Sequence, residues 1–192
     1  CDTEYAQDIK DGEDMSSKEI VARVDHIDCQ RVVLTGGNPL LQDPSDLVAM
    51  MGDKDYYVQI ETQGTIWSGA AAKANWVTVS PKPPSSGNIT DIPQVESFCG
   101  KVLQYHCAIS FKVVIFDQDD LRYAKAIHDK YPGAYMTLQL GRDTTEDYSK
   151  EQILQQYKDL IDNVLESGYF RDDTVKILPQ LHTLVFDKER GV

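Results

Sequence analysis

Along the chain, segments in which apolar residues recur every three or four positions alternate with short apolar runs rich in β-branched residues. The first kind reads as a helix with one buried stripe, the second as a strand inside a sheet. Ser16 opens a Ser-x-x-Glu capping box ending at Glu19, and Ile20, Val24 and Ile27 follow at helical spacing. Arg31–Leu34 reads as a short buried strand that runs into Thr35-Gly36-Gly37. Asp43 and Pro44 read as N-cap and first residue of a helix carrying Leu47, Val48 and Met51. Residues 56–60 and 76–79 predict strands joined by a short Gly/Ala-rich connection. Residues 93–104 predict a helix through Val95, Phe98 and Val102. Residues 108–116, with β-branched and aromatic side chains in series, are the strongest strand. Asp117, Asp119 and Asp120 then open a helix to Tyr131, their charges near its positive end, and Pro132-Gly133 stops it. Residues 135–140 predict a strand, and 149–166 a long helix with Ile153, Leu154, Tyr157, Leu160, Ile161 and Val164 on its apolar side. Residues 174–178 predict a last strand before an irregular tail. Repeated strand–helix units of this kind predict an α/β fold with a mainly parallel sheet, either an open doubly wound sheet or a barrel.

Composition narrows the partners. The 192 residues suit one domain, 1–192, with a real core. Acidic residues outnumber Lys plus Arg by 31 to 19, a formal charge of −12. That balance argues against nucleic acid or an anionic membrane as partner, because little would neutralise phosphates. The longest apolar run, 47–51, is far too short for a membrane span. Cys1, Cys29, Cys99 and Cys107 have no regular spacing, which points away from a disulfide scaffold and towards a reducing, cytoplasmic compartment. Cys99, His106 and Cys107 fit no standard zinc knuckle, and the cysteines read as core residues. His26 and His128 fall among charged neighbours on predicted helices and read as solvated. The 117–120 run reads as a helix start, at most a weak site for a divalent ion.

Candidate chemistry lies at the strand ends. Thr35-Gly36-Gly37-Asn38 follows the first strand, Glu61-Thr62-Gln63-Gly64 the second and Ser80-Pro81-Lys82 the third. Gln139 and Gly141 end a later strand, and Gln180 and His182 follow the last. The C-terminal ends of strands are the ligand-binding face of α/β barrels and open α/β sheets. A Gly-Gly turn is a bare turn or a phosphate cradle. Five polar loops on one face predict a binding site.

Taken in order, these motifs resemble the radical S-adenosylmethionine (SAM) superfamily and, within it, the 7-carboxy-7-deazaguanine synthase family of the queuosine pathway. The resemblance runs through Cys1-Asp2-Thr3, Leu34-Thr-Gly-Gly-Asn-Pro39, Ile60-Glu-Thr-Gln-Gly-Thr65, Val79-Ser-Pro-Lys-Pro-Pro-Ser-Ser86, Phe111-Lys-Val-Val-Ile-Phe116 and Leu178-Pro-Gln-Leu-His182, with a Lys-x-Arg-Gly-Val end. It implies a single-domain, partial (β/α)6-type barrel with short or reduced helices, its N-terminal strand upstream of residue 1, and a homodimer. It implies conversion of 6-carboxy-5,6,7,8-tetrahydropterin to 7-carboxy-7-deazaguanine with loss of ammonia, using a [4Fe–4S] cluster, SAM and Mg²⁺, and an electron donor such as flavodoxin. Cys1 matches the last of three cluster cysteines, and Thr3 the Mg²⁺ ligand. Thr35 matches a substrate contact. Gly37 matches a SAM-binding glycine, and Ser80, Pro81 and Lys82 the second SAM-binding segment. Gln139 falls on the adenine side, and the terminal carboxylate of Val192 matches a substrate contact. Gly36, Asn38, Glu61, Gln180 and His182 line the implied site without assigned roles, Asn38 standing where many radical SAM proteins have Glu. Cys29, Cys99 and Cys107 lie too far along to complete the cluster motif, so the remaining cysteines are expected before Cys1. The implied chemistry is hydrogen abstraction by a 5′-deoxyadenosyl radical followed by ring contraction. Two other readings stand beside it: another radical SAM enzyme such as a glycyl-radical activase, and a non-catalytic metabolite-binding barrel.

Overall fold

Strands and helices alternate through the residues that the computed structural model describes, 12–143, 146 and 148–185; Cys1, Thr3 and Val192 lie outside them. In chain order the elements are α1 (Ser17–Val24), β1 (Arg31–Leu34), α2 (Ser45–Gly52), β2 (Tyr57–Thr62), α3 (Gly69–Lys73), β3 (Trp76–Val79) and α4 (Ile92–Gln104). They continue with β4 (Ala108–Ile115), α5 (Gln118–Lys130), β5 (Tyr135–Leu140), α6 (Lys150–Ser167), β6 (Val175–Leu178) and α7 (Leu181–Val185). The strand order is β1-β2-β3-β4-β5-β6. A doubly wound sheet reverses its order at a switch point, and this one does not. Barrel-type topology is therefore the outcome of the two arrangements predicted. Among the described residues no helix is long and apolar enough to cross a membrane.

The chain divides into two compact units. One contains residues 12–81 and 90–110 of those described, the other 82–89 and 111–185. In the first, β1 and β2 pair in parallel with Leu34 opposite Ile60, and β2 and β3 with Ile60 opposite Val77 and Thr62 opposite Val79. Val58, Ile60, Val77 and Val79 form the apolar side of these strands. They are buried, as are Val48 and Met51 of α2, Ala70 and Ala71 of α3, and Val95, Phe98 and Val102 of α4. Each buried Val, Ile, Met or Phe side chain contributes roughly 1.5–3 kcal/mol. In the second unit, β5 and β6 are parallel with Leu138 opposite Ile177. Its core holds Phe111, Val113 and Ile115 of β4, Leu121 and Ile127 of α5, Met136 and Leu138 of β5, and Ile153, Leu160 and Val164 of α6. The Tyr157 hydroxyl of α6 donates to the Ile177 carbonyl at 2.7 Å, tying that helix to β6.

Several expectations need correction. β1 is not buried on both sides: Arg31 is exposed and Val33 is 52% exposed. Pro44, not Asp43, stands at the N-cap of α2. Asp43 adopts a left-handed conformation (φ 43°), and its carboxylate accepts from the Ser45 hydroxyl at 2.6 Å and from Ser68. The connection between β2 and β3 contains α3, capped by Ser68, whose Oγ accepts from Ala70 N at 3.1 Å. The tail after β6 is irregular only briefly before α7. Ile27 falls beyond α1 and is exposed, as is Leu154 on α6. His128 is not solvated. It is 6% exposed in the last turn of α5, with Nε2 3.1 Å from the Asp172 carboxylate and Phe170 edge-on to its ring.

Candidate functional site

Three of the singled-out loops follow adjacent strands of the first unit. Thr35, Gly36 and Gly37 after β1 are exposed, and both glycines have positive φ (84° and 39°). Side-chain-bearing residues rarely adopt that conformation, so the turn depends on glycine and leaves its backbone open to a ligand. Asn38 turns inward. It is 8% exposed, and its Oδ1 accepts from the Thr62 hydroxyl at 2.8 Å. The same Thr62, 2% exposed at the end of β2, accepts from Gly64 N at 3.3 Å through Oγ1 and from Ser80 N at 2.7 Å through its carbonyl. One buried threonine thus fixes the loops after β1, β2 and β3. Gly64 has φ 76°, and a Cβ there would stand 2.7 Å from Val79 Cγ1, so this turn too requires glycine. Ser80 and Pro81 are buried.

The other face of the same strands is polar. Register places Gln59 opposite Trp76 and Glu61 opposite Thr78, side by side on that face. Gln59 Nε2 donates to Thr78 Oγ1 at 2.8 Å, Thr78 Oγ1 lies 3.1 Å from Ser110 Oγ, and Trp76 Nε1 donates to Ser110 Oγ at 2.8 Å. Arg31 stacks over the Tyr57 ring at 5.1 Å. Strands of a parallel sheet are ordinarily apolar on both faces, so a hydrogen-bonded polar face makes this surface a candidate for ligand binding. The sequence singles out Glu61 but not Gln59, Thr78 or Ser110. Their signal was the polar residue at every second strand position.

In the second unit, Lys82 is half-buried and Pro83 buried, and Pro84–Ser86 forms a single 3₁₀ turn closed by Gly87 (φ 67°). Gln139, half-buried near the end of β5, lies opposite Leu178 of β6. Gly141 N donates to the Ile115 carbonyl at 2.8 Å, and the Phe116 ring lies where a Gly141 Cβ would stand. A cavity of about 430 Å³ opens at the ends of β4 and β5, lined by Phe116, Asp117, Leu140, Gly141, Arg142 and Tyr148 among others. Arg142 Nε, buried, has no hydrogen-bond partner among the described residues. Gln180 is half-buried after β6, and His182 is part of α7.

The chemistry of the donors separates the groups this chain is expected to hold. Among the described residues no three of His, Cys, Asp and Glu come together. Cys29 is exposed, whereas Cys99 and Cys107 are buried, and burial pushes the Cys107 thiol up to about 11, the opposite of a thiolate ligand. These cysteines do not fit an iron–sulfur cluster, and Cys1 and Thr3, the expected cluster and Mg²⁺ ligands, lie outside the described residues. An adenosyl amino acid is different. In the first unit the open Gly-Gly turn offers bare backbone to an amino-acid end. In the second unit, taken by itself, the Lys82 ammonium suits a carboxylate, and the cavity with the unsatisfied Arg142 N–H suits a hydroxyl or a base.

No model of a known protein family matches the sequence. The chain is 34% identical over 205 residues to 7-carboxy-7-deazaguanine synthase of Bacillus subtilis, covering 100% of this chain and 84% of that protein. It is 36% identical over 166 residues to 7-carboxy-7-deazaguanine synthase of Bacillus cereus, covering 84% and 68% respectively. Among solved structures, QueE from Escherichia coli matches with a TM-score of 0.56 at 21% identity, over 85% of this chain and 64% of that one. Streptococcus suis SuiB bound to S-adenosylmethionine matches with a TM-score of 0.60 at 12% identity, over 89% and 44%. At such identities the structures testify to the fold alone, and the fold they share is the partial α/β barrel expected from the sequence.

Proposed function

The chain belongs to the 7-carboxy-7-deazaguanine synthase family of radical SAM lyases, and from that premise we propose that it converts 6-carboxy-5,6,7,8-tetrahydropterin to 7-carboxy-7-deazaguanine with loss of ammonia. The observation that carries this reading is the trio of motif loops after β1, β2 and β3, fixed to one another by Thr62 beside a polar strand face.

The residue roles follow. When bound, a [4Fe–4S] cluster with SAM supplies hydrogen-atom abstraction, and Mg²⁺ supplies a Lewis acid for the substrate carboxylate. Gly37 offers open backbone to the methionine end of SAM. Lys82 brings an ammonium to its carboxylate, Ser80 and Pro81 shape the same segment, and Gln139 serves the adenine side. Thr35 contacts the substrate, and Gly36, Asn38, Glu61, Gln180 and His182 line the site. Asn38 does so by holding the turn, since its Oδ1 is engaged by Thr62. Cys1, Thr3 and Val192 complete the assignment as cluster ligand, Mg²⁺ ligand and substrate contact. Gln59, Thr78 and Ser110 are already hydrogen-bonded to one another, so their dipoles need little reorganisation to orient a nitrogen-rich bicycle. The enzyme acts as a homodimer that takes electrons from a donor such as flavodoxin.

The test uses the holoenzyme, reconstituted anaerobically with iron and sulfide, reduced, and given SAM, Mg²⁺ and the pterin. Mass spectrometry is expected to detect both 7-carboxy-7-deazaguanine and 5′-deoxyadenosine. 5′-Deoxyadenosine without the deazaguanine rejects this substrate and leaves another radical SAM activity. Neither product, with a cluster present by its absorption spectrum, leaves the metabolite-binding reading.

A further inference from the structure

Asp120 is completely buried, and the activity proposed above gives it no role. It sits in the first turn of α5, where acidic residues ordinarily point to solvent and serve the helix end. That duty is already filled. Asp117 is the N-cap, its Oδ1 accepting from Asp119 N at 2.8 Å and Asp120 N at 3.0 Å, while Asp119 is exposed beside Arg122. The Asp120 carboxylate faces inward and accepts three hydrogen bonds. Ser85 N donates to Oδ1 at 3.0 Å, and Ser85 Oγ and Phe116 N both donate to Oδ2, the latter at 2.9 Å. Burying a carboxylate is costly unless it is fully hydrogen-bonded, and capping alone does not require it.

What the carboxylate joins is informative. Ser85 lies three positions after Lys82, within the Pro84–Ser86 turn. That turn has its own braces, Ser86 Oγ donating to the Pro83 carbonyl at 2.6 Å and Asn88 N to Ser86 Oγ at 3.2 Å. The prolines fix backbone angles within the loop, and Asp120 fastens the loop to the end of β4. Through Phe116 N it also sets the residue whose ring lies against Gly141 at the mouth of the cavity.

We propose that Asp120 is a positioning residue for SAM: its carboxylate clasps Ser85 and Phe116 so that the Lys82 segment and the rim of the 430 Å³ cavity stand preorganised before the cofactor arrives. The inference rests on the proposed SAM role of Lys82. Asp120 itself touches no reacting atom and acts only through Ser85 and Phe116, the residues it holds.

The test is titration of SAM into the reconstituted holoenzyme for Lys82→Ala, Ser85→Ala, Asp120→Asn and the double variant Lys82→Ala/Ser85→Ala, with thermal midpoints alongside. Ser85→Ala keeps the fold and removes one donor, so the SAM dissociation constant is expected to rise about 3- to 10-fold, the weight of one hydrogen bond. Asp120→Asn replaces an acceptor oxygen by an NH₂ that faces a donor, and the expected loss is about 10-fold or more. Because the clasp acts through Lys82, the double variant is expected to bind no more weakly than Lys82→Ala alone. For Ser85→Ala the KM for SAM is expected to rise while kcat at saturating SAM stays within about twofold. Unchanged SAM binding in both clasp variants, with Lys82→Ala weakened, overturns the inference alone, even if their thermal midpoints fall. A double variant weaker than Lys82→Ala by the full Ser85→Ala factor also overturns it. Normal SAM binding by Lys82→Ala overturns the reading of Lys82 on which the inference stands.

Discussion

The Phe116 ring occupies the space that a side chain at residue 141 would need, so Gly141→Ala has to push an aromatic ring aside or bend the end of β5. Overpacking of this kind costs about 1–3 kcal/mol. The variant is expected to melt several degrees lower in calorimetry, and an unchanged midpoint would show that the ring swings away freely. At this scale the sequence exposed the loops but not their fastenings. Thr35, Gly36, Gly37, Glu61 and Lys82 stood out as polar or turn-forming residues at strand ends. Thr62 and Asp120, which hold those loops, looked ordinary because their partners, Asn38 and Ser80 for one and Ser85 for the other, are distant in the chain. His128 misled for the same reason: its neighbours in sequence are charged, whereas Phe170 and Asp172 enclose it in space.

Among elements, the starts of helices were the most legible feature, since capping is local. Ser16, Asp117 and Ser149 each accept from backbone amides at the first turn of α1, α5 and α6. Asp117→Ala removes the acceptor for two of those amides and is expected to cost about 1 kcal/mol. Urea unfolding should show this as a lower midpoint with the slope unchanged; an unmoved midpoint would mean that water replaces the cap at no cost. Short elements were the least legible. The five-residue α3 and α7 span barely more than one turn each, too few positions for a period to declare itself. The run Arg31–Leu34 predicts a buried strand because an apolar strand does not reveal in its own residues that one face lies open.

For the molecule as a whole, acid is the informative perturbation. Hydrogen bonds from Lys54 and Tyr56 hold the Asp25 carboxyl below its ordinary value. Ser45 and Ser68 do the same for Asp43, and Thr174 does so for Asp172. Each folded value lies below the unfolded one, so the stability these groups contribute is complete above the unfolded carboxylate range. It is lost as pH falls through the folded values. The thermal midpoint is expected to stay flat from about pH 8 to about pH 5 and to drop below about pH 4. A midpoint that climbs on acidification would show instead that self-repulsion at a net charge of −12 outweighs these bonds.

The two-faced strands of the first unit carry one more consequence, for how such a protein can change over generations. Val58 and Ile60 look one way and Gln59 and Glu61 the other, so neighbouring codons answer to different selective demands. A substitution at 59 or 61 can redraw the hydrogen bonds of the polar face while the core keeps its shape, which lets that face change through single, foldable steps.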